Sequence, residues 1–219
     1  MGKLQLYDTT LRDGAGREGI SFSVEDKMKI AEKLDDLGVH FIEGGWPGAN
    51  PKDEEFFARA GDLGLSRAVL VAFGSTRRPD EKAEKDANLR ALVSAGTDAI
   101  TLVGKSWDHH VTDVLETTLD GNLSMIADSV GYLKSKGKTV FFDAEHFFDG
   151  FKANAEYALR TLVAAADAGA DCLILCDTNG GALPSDVTGG VEAARNAVKT
   201  ALGIHTHNDA ELAVANALA

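Results

Sequence analysis

The chain has 219 residues, 44% of them hydrophobic, with a net charge of −12. That length allows one sizeable core or one α/β barrel. The acidic balance argues against nucleic acid and anionic membrane as partners, and no apolar run approaches the roughly 18 residues of a membrane helix.

The N-terminus, "MGKLQLYDTT", has no signal-peptide layout and enters a strand pattern at once. Leu6 breaks the myristoylation pattern, so a cytoplasmic protein is expected. Seven apolar runs then follow: "LQLYDT" (4–9), "VHFIEGG" (39–45), "AVLVAFG" (68–74), "DAITLVG" (98–104), "TVFFDAE" (139–145), "CLILCDT" (172–178) and "LGIHTHN" (202–208). Their starts lie about 29 to 41 residues apart, the size of a βα unit. The stretches between them have helical spacing. In "SVEDKMKIAEKLDDLG", Met28, Ile30, Ala31, Leu34 and Leu37 share one broad face. Ser23 with Asp26 reads as a capping box, and Asn50-Pro51 as an N-cap followed by proline at the first helical position. Gly38, Gly64, Gly96, Gly137, Gly169 and Gly203 each stand shortly before a strand, where a left-handed residue would end a helix. Cys172 and Cys176 share a strand face about 13 Å apart, too far for a disulfide.

The strands are apolar rather than alternating, so they read as parallel and buried on both faces. An open doubly wound sheet and a TIM (β/α)8-type barrel both fit this pattern. Polar residues collect at the ends of many strands: Asp8 and Thr9, Glu43, Asp143 and Glu145, Asp177 and Thr178, His205 and His207. A ring of functional strand ends suits the barrel, whereas an open sheet gathers its site at one switch point. With seven strands counted, residues 1–219 are expected to form one catalytic barrel domain of about seven βα units, lacking the last strand and helix.

His205 and His207, in "HTHND", are two apart on a strand and share a face, with Cα atoms about 6.7 Å apart. Both imidazoles can reach one cation. In a closed barrel the loop after the first strand, "TTLRDG", lies near them and offers Asp13 as a third ligand. Arg12 would stand beside the cation as a donor suited to a developing oxyanion. Read alone, Arg12 and Asp13 would make a surface ion pair at a turn. Glu43, between apolar residues and glycines, is expected to be partly buried and paired with Arg12. Asp143 and Glu145 share a face, and one of them can act as a base. Asp177 to Asn179 can cap the following helix, and Thr178 can donate to a substrate carboxylate. Loop 14–22 has three glycines and the look of a lid, without the layout of a phosphate loop. Lys105, Arg77 and Arg78 put cations on the same rim.

"YDTTLRDG", a glutamate ending the second strand and "HTHND" together resemble the DRE-TIM metallolyase superfamily. "EGGWPGANPKDEEFF", "AFGSTRR", "GKSWDHHV", "FDAEHFFDG" and "LCDTNGGALP" look most like its citramalate synthase branch, within the isopropylmalate and homocitrate synthase group. The resemblance implies a divalent metal (Mg²⁺, Mn²⁺, Co²⁺ or Zn²⁺) on Asp13, His205 and His207. It also implies Arg12, Glu43 and Glu145 as catalytic residues, and Arg12, His110 and Thr178 as substrate contacts. The implied reaction condenses acetyl-CoA with pyruvate and hydrolyses the thioester, in isoleucine biosynthesis. It implies a homodimer in the full-length protein. The rival readings are an isopropylmalate or homocitrate synthase, a lyase of the HMG-CoA type, and a module that binds metal and 2-oxo acid without turnover. Two departures stand out: position 16 is Gly where the family has Gln or Glu, and the Asn of an eighth strand is not in the chain.

Overall fold

The computed structural model describes residues 4–219. Seven parallel strands form one sheet in the order of the chain: β1 (Tyr7–Asp8), β2 (Phe41–Gly45), β3 (Val69–Ser75), β4 (Ala99–Lys105), β5 (Thr139–Glu145), β6 (Cys172–Asp177) and β7 (Ala201–Thr206). The helices between them are α1 (Val24–Leu37), α2 (Pro51–Arg59), α3 (Ala87–Ser94), α4 (Asp108–Asp113), α5 (Leu119–Ser135), α6 (Phe147–Ala153), α7 (Ala155–Asp167) and α8 (Pro184–Ala197). The short α9 (Ala213–Leu218) follows β7.

Sequential order separates the two architectures that the pattern left open. A doubly wound sheet would put β1 in the middle; here it is at one edge, with β7 at the other. The sheet also curls, because Asp13, just past β1, touches His205 on β7. The fold is a TIM-type barrel of seven strands, and among the described residues β1 and β7 are not paired with each other.

Two packed layers follow from the alternation along each strand. Ile42, Ala72, Ile100, Leu102, Phe142, Leu173 and Leu175 face outward onto the helices, in the large core. Tyr7, Phe41, Val71, Ala99, Phe141, Cys172 and Ile174 face inward and fill the bottom of the curl. There the Phe41 and Phe141 rings meet edge to face at 5.0 Å, a geometry the ring quadrupole favours. β2 to β6 are thus buried on both faces, as their apolar runs predict, whereas β1 and β7, at the two edges of the sheet, hold no fully buried residue.

Local signals act where they were read. Ser23 Oγ accepts from the Asp26 amide at 3.1 Å and Asp26 returns a bond to the Ser23 amide at 2.9 Å, completing the capping box of α1. Such a cap stabilises a helix by about 1 kcal/mol. Asn50 caps α2 with Pro51 behind it.

The glycine rule holds only in part. Gly38, Gly96, Gly137 and Gly169 have positive φ and turn the chain into a strand, but Gly64 does not, since Leu63 before it already ends a 3₁₀ turn in extended backbone. Gly203 lies inside β7, where a Cβ would stand 3.1 Å from Ile174 Cγ1; it answers close interior packing. The first strand is also shorter than the apolar run 4–9, because only Tyr7 and Asp8 pair with β2. Residues 1–3 of "MGKLQLYDTT" lie outside the described residues.

Candidate active site

A tight turn after β1 builds the mouth of the barrel. Thr9 O accepts from the amides of Arg12 and Gly14, Asp8 holds the Thr10 amide at 2.9 Å, and Leu11 is fully buried beneath. With Leu11 anchored, Arg12 and Asp13 face the strand ends.

Asp13 Oδ2 lies 3.3 Å from His205 Nε2 and 3.4 Å from His207 Nε2. The two imidazoles stack at 5.1 Å with 24° between their planes, the consequence of i, i+2 spacing on one strand. Neighbouring ligands of a divalent cation with bonds near 2.1 Å stand about 3 Å apart. One carboxylate and two imidazoles at these separations fit one such ion. His205 and His207 are half-buried, so water or substrate has access.

Asp143, Cys176 and His205 form a second cluster of possible ligands. Burial pushes the Cys176 thiol well above its ordinary range. Burial also raises Asp143, to about 7, with the charge of Glu43 adding to it. A cation there would have to displace protons from both groups, which weakens binding. In contrast, Asp13 is drawn down to about 2 by its hydrogen bond with His205, then by Arg12, against the effect of burial. The first cluster has the better chemistry.

Arg12 is held on three sides. Its Nε donates to Glu43 Oε1 at 2.5 Å and its Nη1 to Asp13 Oδ1 at 3.2 Å. The guanidinium lies flat over Phe73, 3.8 Å from the ring centroid, a favourable cation–π arrangement. Nη2 makes no hydrogen bond among the described residues. Glu43, fully buried, also accepts from Tyr7 Oη at 2.6 Å, and Tyr7 in turn meets Thr101 Oγ1 at 2.7 Å. The sequence pairs Glu43 with Arg12, as observed, but Phe73, Tyr7 and Thr101 were not singled out. A polar Thr101 and an aromatic Phe73 at inward-facing positions of apolar runs were the available signal.

Other expected residues are placed differently. Glu145 pairs with Lys105, so the rim cation Lys105 carries a carboxylate partner; β4 and β5 align the two residues directly. Arg77 likewise binds Asp128 of α5 at 2.8 Å. Asp177 does not cap a helix, because α8 starts only after Leu183; it accepts from the Gly181 and Ala182 amides and fastens the preceding loop.

His110 stacks on Trp107 at 4.8 Å and meets the His146 ring edge-on at 4.4 Å. Its Nδ1 is buried without a partner, and burial, then His146, lowers its pKa. Thr178 Oγ1 accepts from the His146 amide at 2.8 Å. His146 was not among the sequence candidates. Loop 14–22 starts with the 3₁₀ turn Gly14–Gly16 and, with Asn50, Lys52 and Asp53, encloses a cavity of about 220 Å³ beside Arg12. A Cβ at Gly16 would meet nothing within 4 Å, so the departure at this position leaves open space.

The pattern of the HMGL-like family matches residues 3–219. The chain is 56% identical over 217 residues to the (R)-citramalate synthase of Aquifex aeolicus, covering 99% of this chain and 41% of that protein. It is 55% identical over 218 residues to the (R)-citramalate synthase of Geobacter sulfurreducens, covering 100% and 41%. The chain thus spans about two fifths of the length of these curated relatives. Among solved structures, the hydroxymethylglutaryl-CoA lyase of Pseudomonas aeruginosa superposes with a TM-score of 0.78 at 18% identity, over 98% of this chain and 71% of that one. At that identity the likeness is one of fold.

Proposed function

The chain belongs to the HMGL-like family, and from that premise we propose that it is the catalytic barrel of an acyltransferase that condenses acetyl-CoA with pyruvate to (R)-citramalate. The observation that carries the reading is the approach of the Asp13 carboxylate to both His205 and His207, 3.3 and 3.4 Å away, with Arg12 fixed alongside. The relatives at 52–56% identity are named (R)-citramalate synthase, which supports the product of the reading; acetyl-CoA and pyruvate as the substrate pair are what the family resemblance implies.

Asp13, His205 and His207 would hold a divalent cation, which when bound supplies Lewis-acid polarisation of a 2-oxo acid. Arg12 turns its free Nη2 donors toward the keto oxygen, where negative charge develops. The ion pair with Glu43 and the face of Phe73 keep the fork from moving, so the donors need no reorganisation. Thr178 donates to the carboxylate of the 2-oxo acid, and His110, with the Trp107 ring behind it, closes the same side. Glu145 takes part in moving a proton from the acetyl methyl carbon, with Lys105 holding its carboxylate in place. The new bond joins that carbon to the keto carbon of pyruvate. Water then cleaves the thioester, releasing coenzyme A as the free thiol and making the overall reaction effectively irreversible. Mg²⁺, Mn²⁺, Co²⁺ and Zn²⁺ all suit a donor set of two imidazoles and a carboxylate.

No helix among the described residues is long and apolar enough to cross a membrane. Independently of that, the family resemblance supports reading it as a cytoplasmic enzyme of branched-chain amino acid synthesis, acting as a homodimer on small molecules. Thiol release from acetyl-CoA with a panel of 2-oxo acids tests the assignment, in a protein extended to the length of the relatives. Pyruvate should be preferred. Equal or better turnover with 2-oxoisovalerate would make it an isopropylmalate synthase, and with 2-oxoglutarate a homocitrate synthase.

A further inference from the structure

His146 directly follows β5 and adopts φ 55° and ψ 34°, a left-handed conformation that a residue with a Cβ normally avoids. Its amide lies beyond the β5–β6 ladder, whose last aligned pair is Ala144 with Leu175. The amide instead donates to the Thr178 side chain, 2.8 Å away. The His146 ring is tied down as well. Its Nδ1 lies 3.0 Å from Asp149 Oδ2, which also accepts from Asn179 Nδ2 at 2.9 Å. One residue thus joins the end of β5, the first turn of α6 and the loop after β6.

The consequence for Thr178 follows from its chemistry. A hydroxyl has one hydrogen and two lone pairs. The His146 amide takes a lone pair, so the hydrogen must point elsewhere. Thr178 makes no other hydrogen bond among the described residues. It is half-exposed at the C-terminal end of β6, so its hydrogen is available to a ligand at the barrel mouth.

We propose that His146 is a positioning residue, whose amide, held at a left-handed turn, occupies one lone pair of the Thr178 hydroxyl and leaves its hydrogen directed at the carboxylate of the 2-oxo acid. The inference rests on the reading of Thr178 as the carboxylate contact. What matters is the direction of the amide, not the imidazole. Residues that tolerate the left-handed region therefore preserve the function, and β-branched residues abolish it.

The test is a set of variants in the full-length protein: His146→Gly, His146→Asn, His146→Val, Thr178→Val and the His146→Val/Thr178→Val double. The readouts are KM for pyruvate, kcat, and calorimetric affinity for pyruvate with Mn²⁺ present. Thr178→Val should raise KM about tenfold, the usual size for a lost hydrogen bond to a charged group. His146→Val should match it, with kcat changed less than KM. His146→Gly and His146→Asn should stay within about threefold of the parent, since both accept positive φ. The double variant should be no worse than either single, because both remove the same bond.

Fold-changes that multiply in the double, or a Gly variant as impaired as the Val variant, would overturn the proposal. An unchanged KM in Thr178→Val would remove the carboxylate contact itself, a separate failure of the functional reading. If His146→Val does not fold, His146→Ala carries the same comparison with a smaller strain.

Discussion

Asp35 and Asp143 are both carboxylates with little exposure, 6% and 5%, but they sit at opposite places and in opposite states. Asp35 lies just beneath the surface at the N-terminal rim of the barrel. It accepts from the amides of Ser66, Arg67 and Ala68 and from Ser66 Oγ. Those donors, the Ser66 amide first, draw it down to about 2. Asp143 lies inside the curl, below the mouth. Its Oδ1 has no donor, and burial raises it. At the stable end of the barrel a carboxylate is saturated by backbone; at the other end, carboxylates and imidazoles are left with capacity to spare. Unmet hydrogen-bonding capacity marks where a ligand belongs.

Substitutions at the two ends should therefore separate activity from stability. The largest effect is expected at Arg12. Arg12→Lys should lower turnover by more than about tenfold, since an ammonium cannot reproduce the planar fork over Phe73 and beside Glu43. Metal affinity should change little. Near-normal turnover would leave Arg12 as the ion-pair partner of Glu43 and nothing more.

Asp35→Asn should do the reverse. It should lower the melting temperature at pH 7 and leave kcat and KM as they were, because the amide cannot accept four bonds as a carboxylate does. The sign of the pH dependence follows from the depressed pKa. The folded form holds its proton more weakly than the unfolded form, whose pKa is about 3.9. The stabilisation is therefore present above pH 4 and fades as pH falls toward 2. A melting curve that separates parent from variant at pH 7 and merges them near pH 2 is expected. A constant separation would contradict it.

Asp143→Asn should act on folding with the opposite sign. The folded-state pKa is raised, so ionising Asp143 costs stability as pH climbs from about 4 through about 7. Asn carries no such cost, so the metal-free variant should melt at or above the parent at pH 8. A clear drop in melting temperature would show that Asp143 has a partner in the folded protein.

Much of this was legible because it depends on short-range pattern. Apolar runs at βα spacing gave the strands, and parity placed His205 with His207. Barrel closure then brought Asp13 to them, although about 190 residues separate the loop from β7. What stayed hidden depends on pairings between strands and on local backbone. Lys105 was read as a rim cation without its Glu145 partner, because the register of β4 against β5 is not written in either strand. His146 looked like an ordinary residue after Glu145, since nothing in "FDAEHFFDG" announces a positive φ on a histidine. Phe73 was counted only as part of an apolar run, though its face lies under Arg12. Gly203 was mistaken for a helix terminator because glycine serves a turn and a close packing contact equally well.

On the proposed function, Asp13, His205 and His207 together hold one divalent cation. Calorimetric titration with Mn²⁺ at pH 7.5, on the parent and on Asp13→Asn, His205→Ala, His207→Ala and Cys176→Ser, tests it most directly. The first three substitutions should each weaken binding by at least about tenfold, and Cys176→Ser should bind as the parent does. Unchanged affinity in Asp13→Asn and His207→Ala, with loss in Cys176→Ser, would move the cation to the buried cluster of Asp143, Cys176 and His205 and contradict the account.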